Sequence, residues 1–379
     1  MAQPQEQAIA SIAAILSQVS GYKSYIVDPS FDIADKGTEK LSSNDTLTFV
    51  DDDLSIITNY SSKKLIQSLP LLAKKESSKI YNLNVKISND DFSAVAAVKD
   101  LGFDVLISTH IRETIDFTIL ASLLSKTSKR STIHFYVESS ESYDITYYTL
   151  SNIKKAYDSF ESTELHDCFD TLKSIVGIQY SEFDLIHTAP NTKNLVILLG
   201  NPAQFAINSN FKANNSLISV KVYRPFKLQK LESLIKSIRF EKLIILEQSS
   251  INLQFQTLFL DLIELLPALS TSNIEVLPLQ LLKVDSDNVE QVVISINNLS
   301  SSSSSPILGK SFNDHSGASL EKFAKSSDGA YLNILRETTD EKFLNILNDF
   351  QVNPSPDYSL GKFLSQEEHL QKLITLVES

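Results

Sequence analysis

Three apolar runs near the middle of the chain decide the fold class: 195-LVILL-199, 217-LISVKV-222 and 243-LIIL-246. Short runs of mostly apolar residues of this kind are typical of strands that are buried on both faces. Between the second and third runs, apolar residues recur at helical spacing instead, at Leu228, Leu231, Leu234, Ile235 and Ile238. Strands that alternate with helices in this way predict a parallel sheet covered by helices.

The same alternation extends in both directions. Downstream, we predict a strand at 274–277, a helix containing Val289, Val292, Val293 and Ile296, and a further strand at 306–309. Asp287 suits the N-cap of that helix, with Glu290 as its N3 partner. Upstream, we predict strands at 25–27, 46–50, 80–87, 105–108 and 132–137 and helices at 91–99 and around Ile115–Leu123. The chain opens with an amphipathic helix that ends at Gly21.

We therefore predict an α/β protein with two domains of mainly parallel sheet flanked by helices, at residues 1–190 and 191–350, followed by a linker and C-terminal helix at 351–379. The six serines at 300–305 predict a flexible connection inside the second domain. The last helix begins at the capping box Ser365–Glu368, and its apolar stripe is Leu370, Leu373, Ile374 and Val377. We predict that this stripe docks on a partner, because an apolar helix face needs a cover.

Composition excludes several classes of function. The chain has 379 residues and a formal net charge of −12, which argues against binding to nucleic acid or to anionic membranes. The single cysteine excludes internal disulfides and any iron–sulfur or structural zinc site built from this chain's own thiolates. Only nine glycines are present, and none forms a phosphate-binding motif. No signal peptide or membrane span is visible, so we predict a cytoplasmic protein.

Few residues are candidates for chemistry. The densest set of metal-ligand types is Glu164, His166, Asp167 and Cys168, but its spacing does not place the ligands on one helix face. We expect it to be a polar helix start with a half-buried thiol, and we expect the acidic run 51–53 to be a solvated loop. His110 and His134 lie beside predicted strand ends, where no activated nucleophile accompanies them. We expect both to be structural.

The loop Tyr223–Phe226, whose four residues are Tyr223, Arg224, Pro225 and Phe226, has two alternative interpretations. Arg224 follows a strand at its carboxyl end, where it could contact an anion or a partner protein. Alternatively, its guanidinium ties the loop down by bonding to carbonyl groups, as arginines in loops commonly do.

The same loop takes part in a series of family resemblances. The run 220-VKVYRPF-226 resembles the strand–turn V-x-x-Y-R-P-[FW] of pyruvate:ferredoxin (flavodoxin) oxidoreductases, and 25-YIVDPS-30 is similar to their Y-P-I-T-P-S. The segments 102-GFDVLIS-108, 113-ETID-116 and 133-IHF-135 follow in the family's order. A closer resemblance, over nearly the whole chain, is to the N-terminal region of the beta (hemoprotein) subunits of yeast-type NADPH sulfite reductases, which share 96-AAVKDL-101 and 353-NPSPDYSLGKFL-364.

The resemblance implies a degenerate thiamine-diphosphate pyrimidine-binding domain followed by a transketolase C-terminal-like domain. In the oxidoreductases, a threonine and an arginine contact the keto-acid substrate. Here Asp28 stands in the threonine position, and Lys86 and Ile87 fall near the arginine position. A carboxylate at Asp28 repels a substrate carboxylate. We therefore expect no catalytic, cofactor-binding or metal-binding residues, and we expect siroheme, the 4Fe-4S cluster and flavin only in domains that this chain lacks or in a partner subunit.

The function that the resemblance implies is a non-catalytic scaffold or assembly region of NADPH-dependent assimilatory sulfite reductase, which reduces sulfite to sulfide. Its expected partners are the alpha (flavoprotein) subunit or the remaining domains of the beta subunit. Two alternatives stay open: a half-site of a thiamine-diphosphate-dependent 2-oxoacid oxidoreductase, and a stand-alone interaction or regulatory protein.

Overall fold

The computed structural model describes residues 2–31, 38–42, 54–73, 79–160, 165–249, 257–262, 274–299 and 307–308. The chain divides into two compact units, Met1–Phe312 and Asn313–Ser379, and all described residues belong to the first. No helix in the described ranges is long and apolar enough to cross a membrane. The predicted strand at 46–50, the acidic run at 51–53 and the predicted docking helix after Ser365 lie outside the described residues.

Strands and helices alternate along most of the described chain. The strands are β1 (Ala2–Pro4), β2 (Lys23–Val27), β3 (Glu39–Leu41), β4 (Leu54–Ser61), β5 (Ile80–Ile87), β6 (Asp104–Ser108), β7 (Thr132–Val137), β8 (Ser142–Asp144), β9 (Phe183–His187), β10 (Asn194–Leu199), β11 (Asn215–Val220), β12 (Val222–Arg224), β13 (Lys242–Gln248), β14 (Glu275–Leu281) and β15 (Ile307–Leu308). The helices are α1 (Gln5–Ser20), α2 (Ser62–Ala73), α3 (Ser93–Val98), α4 (Ile111–Ser128), α5 (Leu150–Asp158), α6 (Leu165–Val176), α7 (Ala203–Ile207), α8 (Ser209–Asn214), α9 (Leu228–Lys236), α10 (Thr257–Leu262) and α11 (Val289–Asn298).

The first sheet has the strand order β12-β6-β7-β5-β4-β2-β3. Its neighbouring strands are parallel except for the pair β12 and β6, which is antiparallel. The chain passes from β5 across β7 to β6 and then returns, so the strand order reverses at this point. Strands β1 and β8 form a separate two-stranded antiparallel sheet.

The second sheet has the strand order β15-β14-β13-β10-β11-β9. All neighbours are parallel except β9 and β11. The parallel strands therefore run outward from β10 in both directions, through β11 on one side and β13 on the other. In doubly wound sheets of this kind, the crevice outside the carboxyl ends of the two central strands is the usual place for a ligand.

The predicted fold class is confirmed: this is an α/β fold of mainly parallel sheets flanked by helices. The predicted bounds of β5 and β7 are those that the structure has. The first helix ends as predicted, since Gly21 caps α1 with a φ of 77°, in the left-handed region that glycine adopts without strain.

The prediction of a single strand over 217–222 is wrong. β11 ends at Val220 in the second sheet, and β12 begins at Val222 in the first. Between them, the N–H groups of Lys221 and Val222 both donate to the Glu182 carbonyl, and the Lys221 carbonyl accepts from the N–H of Ile107 at 2.8 Å. The apolar pattern continues through the crossing, so the pattern alone does not reveal it.

The predicted N-cap of α11 is also wrong, by one residue. The N-cap is Asn288, and Asp285 accepts hydrogen bonds from the N–H groups of Asp287 and Asn288 in the turn before it. Glu290 does not complete a capping box. Its carboxylate instead accepts hydrogen bonds from the side-chain amides of Asn208 and Asn210 at 2.8 and 3.0 Å.

The two faces of the first sheet differ in chemistry. One face carries apolar side chains such as Leu83 and Phe135, and it shares a buried core with Leu195 and Ile245 of the second sheet. The opposite face packs against helices α1 and α4, and helices α5 and α6 pack on those two helices. Because β12 comes from the second half of the sequence and pairs in the first sheet, the two halves are joined at the strand level as well as through the core. The domain boundary near residue 190 stays a prediction.

Candidate functional site

The crevice outside β10 and β13, where a ligand would be expected, is filled by the turn that follows β5. The amide N–H of Asn201 donates to Oε1 of Gln248 at 2.8 Å, and the N–H of Phe92 donates to the Gln248 carbonyl at 3.1 Å. The hydroxyls of Ser93 and Ser249 lie 2.9 Å apart. The end of one sheet is thereby hydrogen-bonded to a turn of the other.

The turn itself has a backbone conformation that its residues suit. Asn89 and Asp90 have φ values of 57° and 58°, in the left-handed region that Asn and Asp tolerate better than other non-glycine residues. Asp90 accepts a hydrogen bond from Nδ2 of Asn201 at 3.0 Å. Burial raises the pKa of Asp90, and the Asn201 hydrogen bond and the charge of Lys283 partly oppose that rise. The turn is therefore held in the crevice by specific polar contacts.

Position 200 needs glycine, because the chain passes very close to Gln248 there. We therefore predict that a larger residue at this position lowers the stability of the fold. A Cβ at position 200 would lie 2.8 Å from both Cβ and Oε1 of Gln248, a side chain that is 1% exposed. We expect Gly200→Ala to lower the free energy of unfolding by about 1–3 kcal/mol, through overpacking. Urea denaturation measures this change.

Gly177→Ala is the control, because a Cβ there meets nothing within 4 Å and only the positive φ of 75° is strained. We expect Gly177→Ala to cost about 1 kcal/mol through backbone strain alone. Equal or smaller destabilisation by Gly200→Ala would contradict the close packing of this junction.

At the first sheet, the carboxyl edge is covered by the start of α1. Nε2 of Gln5 donates to the Val137 carbonyl at 3.0 Å, and the N–H of Ser139 donates back to Oε1 of Gln5 at 2.8 Å. The next residue, Glu6, accepts hydrogen bonds from the N–H and hydroxyl of Ser30 at 3.0 and 2.7 Å and from Nδ2 of Asn59 at 3.1 Å. Sequence reasoning missed this set, because residues at positions 5, 30 and 59 show no common spacing.

Two positions that the family resemblance singled out lie at this edge. Asp28 follows β2 with a φ of 41°. Lys86 lies in β5 and forms an ion pair of 3.3 Å with Glu138, just beyond β7. At these positions the chain therefore has a carboxylate and a lysine that is paired with Glu138.

The loop Tyr223–Phe226 lies at the other edge of the first sheet. Nε of Arg224 donates to the Lys99 carbonyl at 3.0 Å, and its terminal nitrogens reach the Tyr223 carbonyl at 2.8 Å and the Asp261 carboxylate at 3.0 Å. These contacts are the ones that the tethering alternative expects. The Tyr223 hydroxyl also donates to Asp261, at 2.7 Å, and the ring of Phe226 packs edge-on against Tyr223. The proposed role of this loop in partner contact stays a prediction.

A buried ion pair joins the segment where the chain crosses between the sheets to the first turn of α4. Nζ of Lys221 lies 2.8 Å from Oε2 of Glu113, and the two side chains are 4% and 9% exposed. The same lysine donates to the Thr109 hydroxyl at 3.1 Å, and Oε2 of Glu113 accepts the N–H of Thr109 at 2.8 Å. Sequence reasoning missed this pair, although a lysine inside an otherwise apolar strand run was a signal for it.

The two candidate histidines, His110 and His134, both have hydrogen-bond partners within the chain. His134 lies inside β7 rather than at its end, with Nε2 2.8 Å from the Ser108 hydroxyl and Nδ1 2.9 Å from Oδ1 of Asn84. Burial lowers the pKa of His134 to about 3, so its ring is neutral. His110 is the N-cap of α4, where its Nδ1 accepts the N–H of Arg112 at 3.3 Å.

The remaining metal-ligand candidates are not brought together in the described ranges. Cys168 is fully buried in α6 rather than half-buried, and burial raises the pKa of its thiol to about 12. Glu164 and the side chain of His166 lie outside the described residues. Within the described part of the chain, no group of three or more His, Cys, Asp or Glu side chains could hold a metal ion.

A buried carboxylate on α4 accepts hydrogen bonds from two tyrosine hydroxyls. The hydroxyls of Tyr148 and Tyr180 donate to the two oxygens of Asp116, each at 2.6 Å, and Nε of Arg112 lies 3.9 Å away. Burial raises the pKa of Asp116 to about 6, against the lowering effect of both tyrosine hydrogen bonds. This cluster ties the segments on either side of α5 and α6 to α4.

Comparisons with known proteins extend these observations. No protein-family profile matches the chain. Over 375 residues it is 26% identical to sulfite reductase (NADPH) subunit beta of Saccharomyces cerevisiae, covering 92% of this chain and 25% of that protein. It thus spans a quarter of the length of this relative.

Solved structures with similar folds include an oxidoreductase and a transketolase. A 2-oxoglutarate:ferredoxin oxidoreductase from Magnetococcus marinus has a TM-score of 0.47 and 11% identity, covering 78% of this chain and 64% of that one. A split-gene transketolase in an inactive beta4 tetramer has a TM-score of 0.47 and 9% identity, covering 77% of this chain and 93% of that one. The chain is an α/β protein with a distant sequence similarity to the sulfite reductase beta subunit.

Proposed function

We propose that this chain is a non-catalytic scaffold or assembly region of an NADPH-dependent assimilatory sulfite reductase. The sequence match to the yeast beta subunit, over 92% of the chain, supports the family. The observation that carries the non-catalytic part is that polar groups at the carboxyl ends of strands in both sheets are hydrogen-bonded to the chain's own residues.

In the second sheet, the crevice between β10 and β13 holds the turn after β5, which bonds to Gln248, Ser249 and Asn201. In the first sheet, Gln5 and Glu6 cover the carboxyl ends of β2, β4 and β7. A ligand in either place must replace these hydrogen bonds, each of which contributes about 0.5–1.5 kcal/mol net. Groups that bond one another in this way favour a closed packing surface over a binding site.

The residues do not fit thiamine diphosphate and its keto-acid substrate. Asp28 presents a carboxylate at the position of the family's substrate-binding hydroxyl, and like charges repel. Lys86, near the position of the substrate-binding arginine, is paired with Glu138. We therefore derive no catalytic step for this chain.

A binding measurement separates the scaffold from the thiamine half-site. We expect isothermal titration calorimetry with thiamine diphosphate and Mg²⁺ to show no heat of binding at millimolar ligand, because the candidate groups are engaged with one another. Micromolar affinity would contradict the non-catalytic proposal and favour the oxidoreductase half-site.

The scaffold role itself predicts defined partners. We expect the tagged full chain to bind the purified alpha (flavoprotein) subunit of sulfite reductase, or the beta-subunit domains that follow the matched region. Leu373→Asp together with Ile374→Asp is expected to weaken this binding at least tenfold. Gln371→Asp together with Thr375→Asp, which adds the same two charges outside the apolar stripe, is the control. If the chain binds neither component, the scaffold proposal is contradicted. If all variants bind equally well, the predicted docking role of the C-terminal helix is contradicted.

A further inference from the structure

The face of the first sheet that packs against α4 is unusually polar. β5 places Asn82 and Asn84 on this face, since alternate residues of a strand point the same way. β7 adds His134 beside Asn84, and α4 adds Thr118 opposite them. All four side chains are 0% exposed. Such a layer is stable only if its polar atoms find partners.

Part of the layer is fully partnered by protein groups. Oδ1 of Asn84 accepts from Nδ1 of His134 at 2.9 Å and from the Thr118 hydroxyl at 3.2 Å. Further along the same helix, the Ser125 hydroxyl donates to Thr132 at 2.9 Å. These bonds hold α4 over β5 and β7.

The other part has no protein partner in the described ranges. Both amide atoms of Asn82, and Nδ2 of Asn84, make no hydrogen bond to any described residue. Turning the Asn84 amide over exchanges its nitrogen for its oxygen and leaves one atom unpartnered, and turning Asn82 over changes nothing. A buried amide without any hydrogen bond costs several kcal/mol, so these atoms point to a ligand.

The chemistry of the site selects the class of ligand. It combines an acceptor, Oδ1 of Asn82, with two amide donors, and a metal ion or an anion would complement only one of these types. Side chains two residues apart on one strand face are separated by about 6.6 Å, a span that one or two water molecules bridge. Water is uncharged, and it donates and accepts with equal ease.

We propose that the amides of Asn82 and Asn84 bind one or two ordered water molecules beneath α4, forming an internal hydration site of the first sheet. The waters complete the hydrogen bonds of the layer and so belong to the contact between α4 and β5. Buried waters with two to four polar partners are a regular part of globular proteins, at about one per 27 residues.

A high-resolution crystal structure of the full chain tests this proposal. We expect an ordered water within about 2.7–3.2 Å of an amide atom of Asn82. Asn82→Leu, which is close in volume and apolar, is expected to remove that water. Ser108→Ala is the control, because it removes a hydrogen bond to Nε2 of His134 in the same layer, two strands away from Asn82, and keeps the water.

If Asn82→Leu does not fold, the wild-type protein still decides the question. Its selectively labelled Asn82 side-chain amide is then expected to show a nuclear Overhauser effect to long-lived water. Any of three results would overturn the proposal. The Asn82 amide could bond only to protein groups, the water peak could survive in Asn82→Leu, or the density could show a larger bound molecule.

Discussion

Replacing Lys221 with methionine is expected to lower the free energy of unfolding by about 3–5 kcal/mol, the cost of breaking a buried ion pair from one side. Methionine matches the length of lysine but leaves Glu113 buried without its cation. Lys221 also lowers the pKa of the nearby Asp184, which burial raises, so two carboxylates lose their compensating charge. Urea denaturation at pH 7 measures the loss.

Two variants control for this expectation. Lys221→Met combined with Glu113→Leu removes both charges, and it is expected to recover most of the stability, because a hydrophobic replacement of a buried pair is often neutral. Lys236→Met breaks a pair with Glu232 in which the lysine side chain is 62% exposed. That variant is expected to change stability by less than about 0.5 kcal/mol. A loss for Lys221→Met as small as that of Lys236→Met would contradict a stabilising buried ion pair between Lys221 and Glu113.

Replacing Asp116 with alanine is expected to cost about 2–4 kcal/mol, since the buried Tyr148 and the half-buried Tyr180 both lose the acceptor of their hydroxyl. Tyr148 and Tyr180 reach Asp116 from segments far apart in sequence, so the loss loosens both against α4. Asp116→Asn keeps one acceptor oxygen and is expected to cost less. Thermal or urea unfolding of the two variants, beside Asp158→Ala on the exposed face of α5, measures the difference.

The pH dependence of the Asp116 variants provides an independent check. Burial raises the pKa of Asp116 to about 6 in the folded protein, above its ordinary value of 3.8. The folded state therefore binds the proton more tightly, and stability from this group rises as the pH falls from 7 towards 4. Relative to Asp116→Asn, the wild-type protein is expected to gain about 1 kcal/mol between pH 7 and pH 5. An unchanged difference between the two proteins would contradict the raised pKa.

The local sequence pattern was sufficient to predict the strands and helices themselves. The apolar runs of β5, β7 and β10 identify buried strands, and glycine after an apolar helix stripe identifies the end of α1. These features depend on residues within a few positions of one another, where side-chain periodicity and backbone preference act directly. The α/β class and the parallel character of both sheets follow from them.

The assignment of each strand to one of the two sheets could be made only from the folded structure. The run 217–222 is uniformly compatible with a buried strand, and only the pairing of Val222 with Leu106 places its end in the other sheet. Strand pairing depends on partners more than 100 positions away, and nothing in the local pattern encodes them.

The candidate sites depend on such long-range contacts even more. Glu113 and Lys221, or Asp116 and Tyr180, are far apart in sequence and become neighbours only in the folded chain. Composition predicts few groups suited to catalysis, and that stays a prediction. The filling of both sheet crevices by the chain's own side chains is a property of tertiary packing, because Gln5 and Asp90 have no pattern of their own and acquire their roles from the strands they meet.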